Sequence, residues 1–233
     1  MPDTLTLRPD PARFGASVVA SSMAFIPVVD GDLLPRHPLE ALAAGASCDV
    51  ALLTGTTTEE YRFFVVPSGV AAATTHESLI GYLTALGVPA QVLATYRANR
   101  PQAAPGDLLA AIVTDAFFRL PALAVVAARG AAETWVYEMA WGTEHLGLGA
   151  AHALDVPFVF DRLAADGAAG LTGPHPPQPL ADAMHGAWVR FATTGDPGWR
   201  RYDEQRAVMV FDADSSDQTL APREDERAVW GAP

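Results

Sequence analysis

Three short segments carry the apolar pattern of core β-strands. Residues 50–53 form a continuous apolar run closed by Thr54 and Gly55, which is typical of a strand buried on both faces of a parallel sheet. The segment TWVYEMAW at 134–141 is rich in β-branched and aromatic residues and predicts a second core strand. AVMVF at 207–211 predicts a late strand or another extended piece. Because long helical patterns separate these strands, the chain is predicted to have an α/β architecture.

Helical patterns fill much of the remaining chain. HPLEALAAG predicts a short helix, with Pro38 in its first turn and Gly45 placed to end it. The longest candidate spans residues 105–129, with Asp107 near its start and Gly130 just past its end. Further helices are predicted at 59–64, 76–86 and 180–194.

The irregular start of the chain and the small number of predicted strands indicate an incomplete α/β domain. Residues 1–24 are interpreted as an irregular lead-in, and FIPVVDGDLLP as an extended segment that ends in a turn at Asp30-Gly31. Three strands are too few for an independent doubly wound sheet. We therefore expect a single, partial α/β domain over residues 1–233, with part of its sheet missing.

Composition and charge exclude several classes of function. The chain has 15 Lys and Arg residues against 27 Asp and Glu, a formal net charge of −12, so no nucleic-acid partner is expected. Cys48 is the single cysteine, which excludes an intrachain disulfide framework and a cysteine-rich metal site. The start lacks the pattern of a signal peptide, and uninterrupted apolar stretches fall short of the roughly 18 residues of a membrane span. These features favour a cytoplasmic location without a membrane partner.

Two polar residues follow the first two predicted strands. ALLTG leads into TTTEE, which contains Glu60, and WVYEMAW leads through a loop to His152. In α/β-hydrolases the catalytic triad runs Ser, then Asp or Glu, then His, each on a loop after a strand. The histidine takes the serine proton and returns it to the leaving alcohol, while the carboxylate holds the imidazole in one tautomer. Glu60 and His152 are therefore candidates for the second and third triad members.

The first triad member is not found in these residues. A G-x-S-x-G elbow would present the nucleophilic serine, but none of the eight serines has glycine at both −2 and +2. The HGGG-type segment that forms an oxyanion hole is also absent from the sequence.

Five successive segments resemble the C-terminal half of the type B carboxylesterases, the family of bacterial para-nitrobenzyl esterases and cholinesterases. They are FIPVVDGDLLPRHPLEALAAG, ALLTGTTTEEYRFF, TDAFFRLPALAVVAA, GAAHALDVPFVF and HGAWVRFATTGDPGW. The similarity begins at about residue 25 and continues to the end of the sequence. It implies the C-terminal portion of an α/β-hydrolase sheet with flanking helices, without the N-terminal half of that fold. It also implies that no metal or organic cofactor is needed.

The resemblance assigns roles to individual residues. In the family, a G-T-x-x-D-E-G segment supplies the triad carboxylate, and GTTTEEY assigns it here to Glu60, with Tyr61 in place of the usual glycine. A G-x-x-H-x-x-E/D segment supplies the histidine, and GAAHALD assigns it to His152. Asp155 stands where the family usually has glutamate, which implies a supporting residue near the site and not the triad acid.

Simpler interpretations compete with each of these assignments. A glutamate after a strand is usually a solvated or helix-terminal charge, as we expect for Glu59, and a histidine among apolar residues is often a core residue. Phe117 and Phe118 could line an acyl pocket, but packing is the favoured interpretation. A metal site built from His145, His152 and Asp155 is not expected, because the spacing matches no zinc pattern.

Other aromatic residues and histidines are expected to be structural. The predicted core or packing residues are Trp135, Tyr137, Trp141, Phe158 and Phe160. The histidines expected in structural or surface positions are His37, His76, His145, His175 and His185.

The resemblance implies a carboxylic-ester hydrolase that acts through an acyl-enzyme, with a small-molecule ester as its partner. The alternative is a non-catalytic truncated fragment or binding module of the same fold, since this fold does not guarantee chemistry. A partial sheet would expose apolar edges and faces, so self-association is also expected.

Overall fold

A computed structural model of the chain describes residues 27–231. The predicted lead-in at 1–24 and the first two residues of the predicted extended segment lie outside the described residues. The described part of that segment forms no strand. The turn at Asp30-Gly31 is confirmed, because the Asp30 carboxylate accepts the backbone N–H groups two and four residues further on, at 3.0 and 2.9 Å.

A mixed four-stranded sheet lies at the centre of the part of the chain that the structure describes. Its strands are β1 (Leu52–Thr57), β2 (Thr134–Met139), β3 (Ala207–Phe211) and β4 (Asp217–Leu220). They lie in the order β1-β2-β3-β4, with the first three parallel and β4 antiparallel to β3. The three predicted strands are present. The fourth, DQTL, was not predicted because all of its residues are exposed and it lacks apolar alternation.

The predicted bounds of β1 are wrong at both ends. The strand starts two residues later than expected, leaving Val50 57% exposed, and it continues through Thr54 and Gly55 to Thr57. Gly55 does not end the strand. It pairs with Tyr137 of β2, and a Cβ atom built at this glycine would lie only 2.4 Å from the tyrosine ring. The glycine is needed for close approach between strands, a role that a turn pattern does not reveal.

Helices surround the sheet on both faces. The helices before β2 are α1 (Pro38–Ala43), α2 (Arg62–Val65), α3 (Val70–Ala73), α4 (His76–Ala85), α5 (Ala90–Asn99), α6 (Pro105–Thr114), a π-helical turn (Asp115–Arg119) and α7 (Leu120–Ala128). After β2 come a 3-10 turn (His145–Gly147), α8 (Val156–Val159), α9 (Ala169–Thr172), α10 (Gln178–Thr194) and α11 (Glu224–Ala228).

Most predicted helices are confirmed, with two differences. The helix predicted at 59–64 begins only at Arg62, because residues 58–61 form the turn that contains Glu60. Helices α3, α5, α8, α9 and α11 were not predicted. The end of α10 follows the expected pattern, since Gly195 adopts a left-handed φ of 78° and its N–H donates to the carbonyl of Phe191.

Apolar clusters fill both faces of the sheet. On one face, β2 and β3 pack against α8 and α10 through Met139, Leu154, Phe158, Val159, Leu180, Ala181, Met184, Ala187 and Phe211. On the other face, Val136 and Val208 pack against Val126 of α7. A separate cluster joins α4, α5 and α6 through Leu79, Leu83, Val92, Tyr96, Leu108, Leu109, Ile112 and Val113. The helical covering on both faces is that of an α/β protein.

One helical segment, Pro105–Ala128, is long and apolar enough by length and composition to cross a membrane. More than half of its most apolar window is buried inside the fold, so core packing accounts for this composition. Asp115 and Arg119 interrupt the apolar run, and the Arg119 guanidinium donates two hydrogen bonds to the Asp115 carboxylate. Burial alone would raise the pKa of Asp115, but Arg119 outweighs it and holds that pKa below its ordinary value.

Two phenylalanines near α8 have opposite surroundings. Phe158 is fully buried, as predicted, whereas Phe160 is 66% exposed, so its predicted place in the core is wrong. Phe160 follows the short α8 helix as its C-cap residue, and this position turns it out of the cluster.

This pair allows a matched test of the core. We expect Phe158→Ala to lower the free energy of unfolding by about 3–5 kcal/mol, because it removes a fully buried ring. Phe160→Ala should change it by less than about 0.5 kcal/mol. Urea unfolding followed by circular dichroism measures both, and equal losses in the two variants would contradict the described packing.

Candidate active site

Two loops meet beyond the carboxyl-terminal ends of β1 and β2. Past the last pair of the strand ladder, the Glu59 N–H donates to the carbonyl of Ala150 at 2.9 Å. The His152 N–H donates to the carbonyl of Glu60 at 3.2 Å. Backbone hydrogen bonds therefore continue from the sheet into the loops and bring Glu60 and His152 side by side.

Both carboxylate oxygens of Glu60 are engaged. The residue is 5% exposed. Its Oε1 accepts the backbone N–H of Thr57, at the end of β1, at 2.8 Å. Its Oε2 lies 2.5 Å from Nδ1 of His152. A buried carboxylate needs such partners, and two fixed contacts hold it in one orientation.

The His152 ring is bonded on one nitrogen and open on the other. An ionised carboxylate only accepts hydrogen bonds, so its contact with a neutral imidazole places the proton on Nδ1 and the lone pair on Nε2. No described residue forms a hydrogen bond with Nε2, and the side chain is 43% exposed. This arrangement presents a fixed, accessible base.

Three phenylalanine rings surround the imidazole. The ring centroids of Phe118, Phe64 and Phe63 lie 5.2, 5.5 and 6.2 Å from that of His152. Phe63 and Phe64 are 38% and 44% exposed, so the rings form an accessible apolar surface beside the imidazole. Phe118 was expected mainly to pack in the core, but its ring also borders the imidazole of His152, the candidate base. Phe117, its neighbour, is 39% exposed and lies 6.5 Å from the Tyr61 ring.

Asp155 follows His152 by three residues, and the structure shows no hydrogen bond from its side chain to Glu60 or His152 within residues 27–231. The Tyr137 hydroxyl donates to its Oδ2 at 2.7 Å. Burial, followed by the nearby charge of Asp155, raises the pKa of Tyr137 above its ordinary value, which keeps the phenol a hydrogen-bond donor. The Tyr137 ring lies against Gly55, so this contact depends on the close strand approach described above.

Glu59 was expected to be a solvated residue, but it also forms a hydrogen bond with the loop before His152. Its side chain is 43% exposed, but Oε2 accepts the backbone N–H of Ala150 at 2.9 Å. Glu59 therefore helps to hold the loop that leads to His152.

The five other histidines do not join the site. Within residues 27–231, no hydrogen bond links any of them to Glu60 or His152. His37, for example, accepts the N–H of Leu39 at the start of α1, and Nδ1 of His185 lies 2.9 Å from the carbonyl of Val159. Among the described residues, no group of three or more His, Cys, Asp or Glu side chains could hold a metal ion.

Of the three phenylalanines beside His152, only Phe118 was considered from the sequence as a candidate pocket residue. Phe63 and Phe64 carry a weak signal, as two adjacent aromatic residues one turn after Glu60. Phe118 was considered as an acyl-pocket residue, although packing was favoured, and its ring reaches His152 through the path of the π-helical turn.

A protein-family model and two curated relatives match most of this chain. The model of the carboxylesterase family matches residues 10–230. The para-nitrobenzyl esterase of Bacillus subtilis (strain 168) is 31% identical over 202 residues, which are 82% of this chain and 40% of that protein. The phenmedipham hydrolase of Pseudarthrobacter oxydans is 26% identical over 82% of this chain and 39% of that protein. The chain thus spans about two fifths of the length of these curated relatives.

Solved structures show the same relationship. A carboxylesterase of Geobacillus stearothermophilus superimposes with a TM-score of 0.77 and 33% identity, over 88% of this chain and 45% of that one. A PNB esterase gives a TM-score of 0.68 at 27% identity, over 89% and 44%. The fold is therefore that of the α/β-hydrolases, over somewhat less than half of the neighbours' length.

Two glycines in the loop before His152 allow a test of how closely this loop packs against Glu59. Gly149 and Gly147 have φ values of 65° and 66°, so alanine at either should cost about 1–2 kcal/mol of backbone strain. Only at Gly149 would a Cβ atom also meet a side chain, lying 2.1 Å from Oε2 of Glu59, whereas nothing lies within 4 Å at Gly147. Gly149→Ala should therefore cost at least about 1 kcal/mol more than Gly147→Ala in urea unfolding. Equal costs would contradict the described contact.

Proposed function

The chain belongs to the carboxylesterase family, and we propose that it supplies the base and the orienting acid of a serine esterase. In this proposal His152 is the general base and then the general acid, and Glu60 orients it. The observation that carries the proposal is the 2.5 Å contact between Nδ1 of His152 and Oε2 of Glu60, with the second Glu60 oxygen anchored on the Thr57 N–H. This contact leaves Nε2 free to face a serine.

The nucleophilic serine would come from a segment outside these 233 residues, because they contain no G-x-S-x-G elbow. The serine oxygen bonds to the ester carbonyl carbon while its proton passes to Nε2 of His152. The imidazolium, stabilised by Glu60, then gives that proton to the leaving alkoxide as the ester C–O bond breaks. Water attacks the acyl-enzyme in the same way, giving a proton to Nε2, which returns it to the serine oxygen as the carboxylic acid leaves. These steps need no metal or organic cofactor.

The aromatic surface beside His152 supports a preference for esters with an apolar or aromatic portion. The rings of Phe63, Phe64 and Phe118 lie within 6.2 Å of the imidazole ring and are partly open to a ligand. A flat apolar group could stack on them while its ester carbon faces Nε2. Asp155 is proposed to support the site through its bond with Tyr137.

A non-catalytic fragment or binding module is the second candidate. The absence of a serine elbow from the 233 residues favours it. In that case Glu60 and His152 would remain as an unused pair inherited from an active relative, and association through apolar surfaces would be the function.

Complementation tests the catalytic proposal. The chain is co-expressed with the N-terminal half of a family member, and hydrolysis of a nitrophenyl ester is measured. We expect His152→Ala and Glu60→Gln each to reduce kcat by a factor of about 10³ or more, since a triad acts as a unit. His76→Ala, at an exposed histidine on α4, is the control and should retain full activity. Undiminished turnover in His152→Ala would contradict the catalytic role of His152. If the wild-type pair assembles without turnover, the binding module is favoured.

A fluorophosphonate probe tests the absence of a nucleophile from the chain itself. The isolated chain should remain unlabelled, because its serines lack an elbow and an oxyanion hole. The complemented pair should be labelled on the added half alone. Stoichiometric labelling of the 233-residue chain would contradict the proposal.

A further inference from the structure

The loop between β2 and His152 has little regular structure to hold it. It contains three glycines, Gly142, Gly147 and Gly149, and the last two have positive φ. Its one isolated bridge among the described residues joins Thr143 to Gly149. A general base must be held to within a fraction of an ångström, so a loop of this composition needs support from outside itself.

Arg62, at the start of α2, supplies part of that support. Its Nε donates to the carbonyl of Leu148 at 3.1 Å, and its Nη2 donates to the carbonyl of Gly147 at 2.5 Å. The planar guanidinium thus spans two consecutive carbonyls of the loop. Its Nη1 donates to Oδ1 of Asp107, in the first turn of α6, at 2.6 Å, so the loop is also connected to the helical layer.

Glu59 holds the next residue of the same loop. Its Oε2 accepts the Ala150 N–H at 2.9 Å, while its Oε1 lies 3.7 Å from Nε of Arg62. Gly149 packs so closely between them that a Cβ atom there would approach both Glu59 and Arg62, at 2.1 and 3.3 Å. The two side chains therefore hold the backbone of residues 147–150 in sequence, directly before His152.

The contacts in this group differ in strength. The Arg62 side chain is 21% exposed, and its bond to the Leu148 carbonyl is partly shielded from water, whereas its bond to the Gly147 carbonyl is exposed. The side chain of Asp107 is 46% exposed, and solvent weakens its ion pair with Arg62. The bond from the Ala150 N–H to the Glu59 carboxylate is charge-assisted. Removal of the Arg62 or Glu59 side chain should therefore weaken the hold on residues 147–150 more than removal of the Asp107 side chain.

We propose that Arg62 and Glu59 are positioning residues that hold the loop at 147–150 so that His152 lies within hydrogen-bonding distance of Glu60. The inference rests on the proposed function for its catalytic consequence. Its structural part, the ordering of the loop by two charged side chains, stands without catalysis.

The catalytic consequence is measured in the complemented pair. Arg62→Met keeps an unbranched apolar stem but removes the guanidinium group, and Glu59→Ala removes the carboxylate acceptor. Each should reduce kcat about tenfold and change KM less than about twofold, because the base is misplaced while the binding surface remains. Glu59→Gln keeps an oxygen for the Ala150 N–H and should remain within about threefold of the wild type. Arg201→Met is the matched control, since Arg201 forms an exposed ion pair with Glu133, which directly precedes β2.

The structural part is measured by amide hydrogen exchange on the 233-residue chain alone. In Arg62→Met and Glu59→Ala, the amides of Ala150 and His152 should exchange about tenfold faster, with β3 unchanged. Unchanged protection at these amides, or an equal increase throughout the sheet, would overturn the inference.

The two proposals fail in distinguishable ways. If Glu60→Gln abolishes turnover but Arg62→Met and Glu59→Ala do not reduce kcat, the positioning role is wrong and the proposed function stands. If Glu60→Gln leaves turnover intact, the proposed function is wrong, and the exchange rates still decide whether these side chains order the loop.

Discussion

The in-register parallel pairing of β1 with β2 is the constraint on which the candidate site depends. Parallel strands end at the same edge of a sheet, so the loops after Thr57 and Met139 begin side by side. A slip of one residue would turn Tyr137 to the opposite face, away from α10 and from Asp155. Gly55 permits the observed register, because the Tyr137 ring occupies the space where any larger side chain would project.

Burial and hydrogen bonding then determine how the side chains of Glu60 and His152 are oriented at that edge of the sheet. A carboxylate as buried as Glu60 is stable only with partners, and Thr57 and His152 take one oxygen each. The partly apolar surroundings weaken solvent screening and strengthen the contact with the imidazole. The result is an oriented base with one open nitrogen, on a chain that spans about two fifths of its curated relatives.

The sequence predicted the main strands and the order of Glu60 and His152, because apolar runs and family motifs are local signals. It misplaced the end of β1, because Thr54 and Gly55 form a turn-like pair whose real role depends on a neighbouring strand. The fully exposed β4 has no apolar pattern to detect. The contacts of Arg62 were not predicted, and packing was favoured for Phe118 over a place in a pocket, since both sets of contacts depend on how separate loops and a π-helical turn meet in space.

The protonation of the His152 ring shows most directly whether Glu60 and His152 are paired. It is measured by ¹⁵N NMR of the histidine-labelled chain at a pH where the imidazole is neutral. The His152→Ala variant assigns the signals. We expect Nδ1 to carry the proton and Nε2 to be bare, and Glu60→Gln to remove this preference. A proton on Nε2 in the wild-type chain, or a tautomer that does not respond to Glu60→Gln, would contradict the pairing of Glu60 with His152.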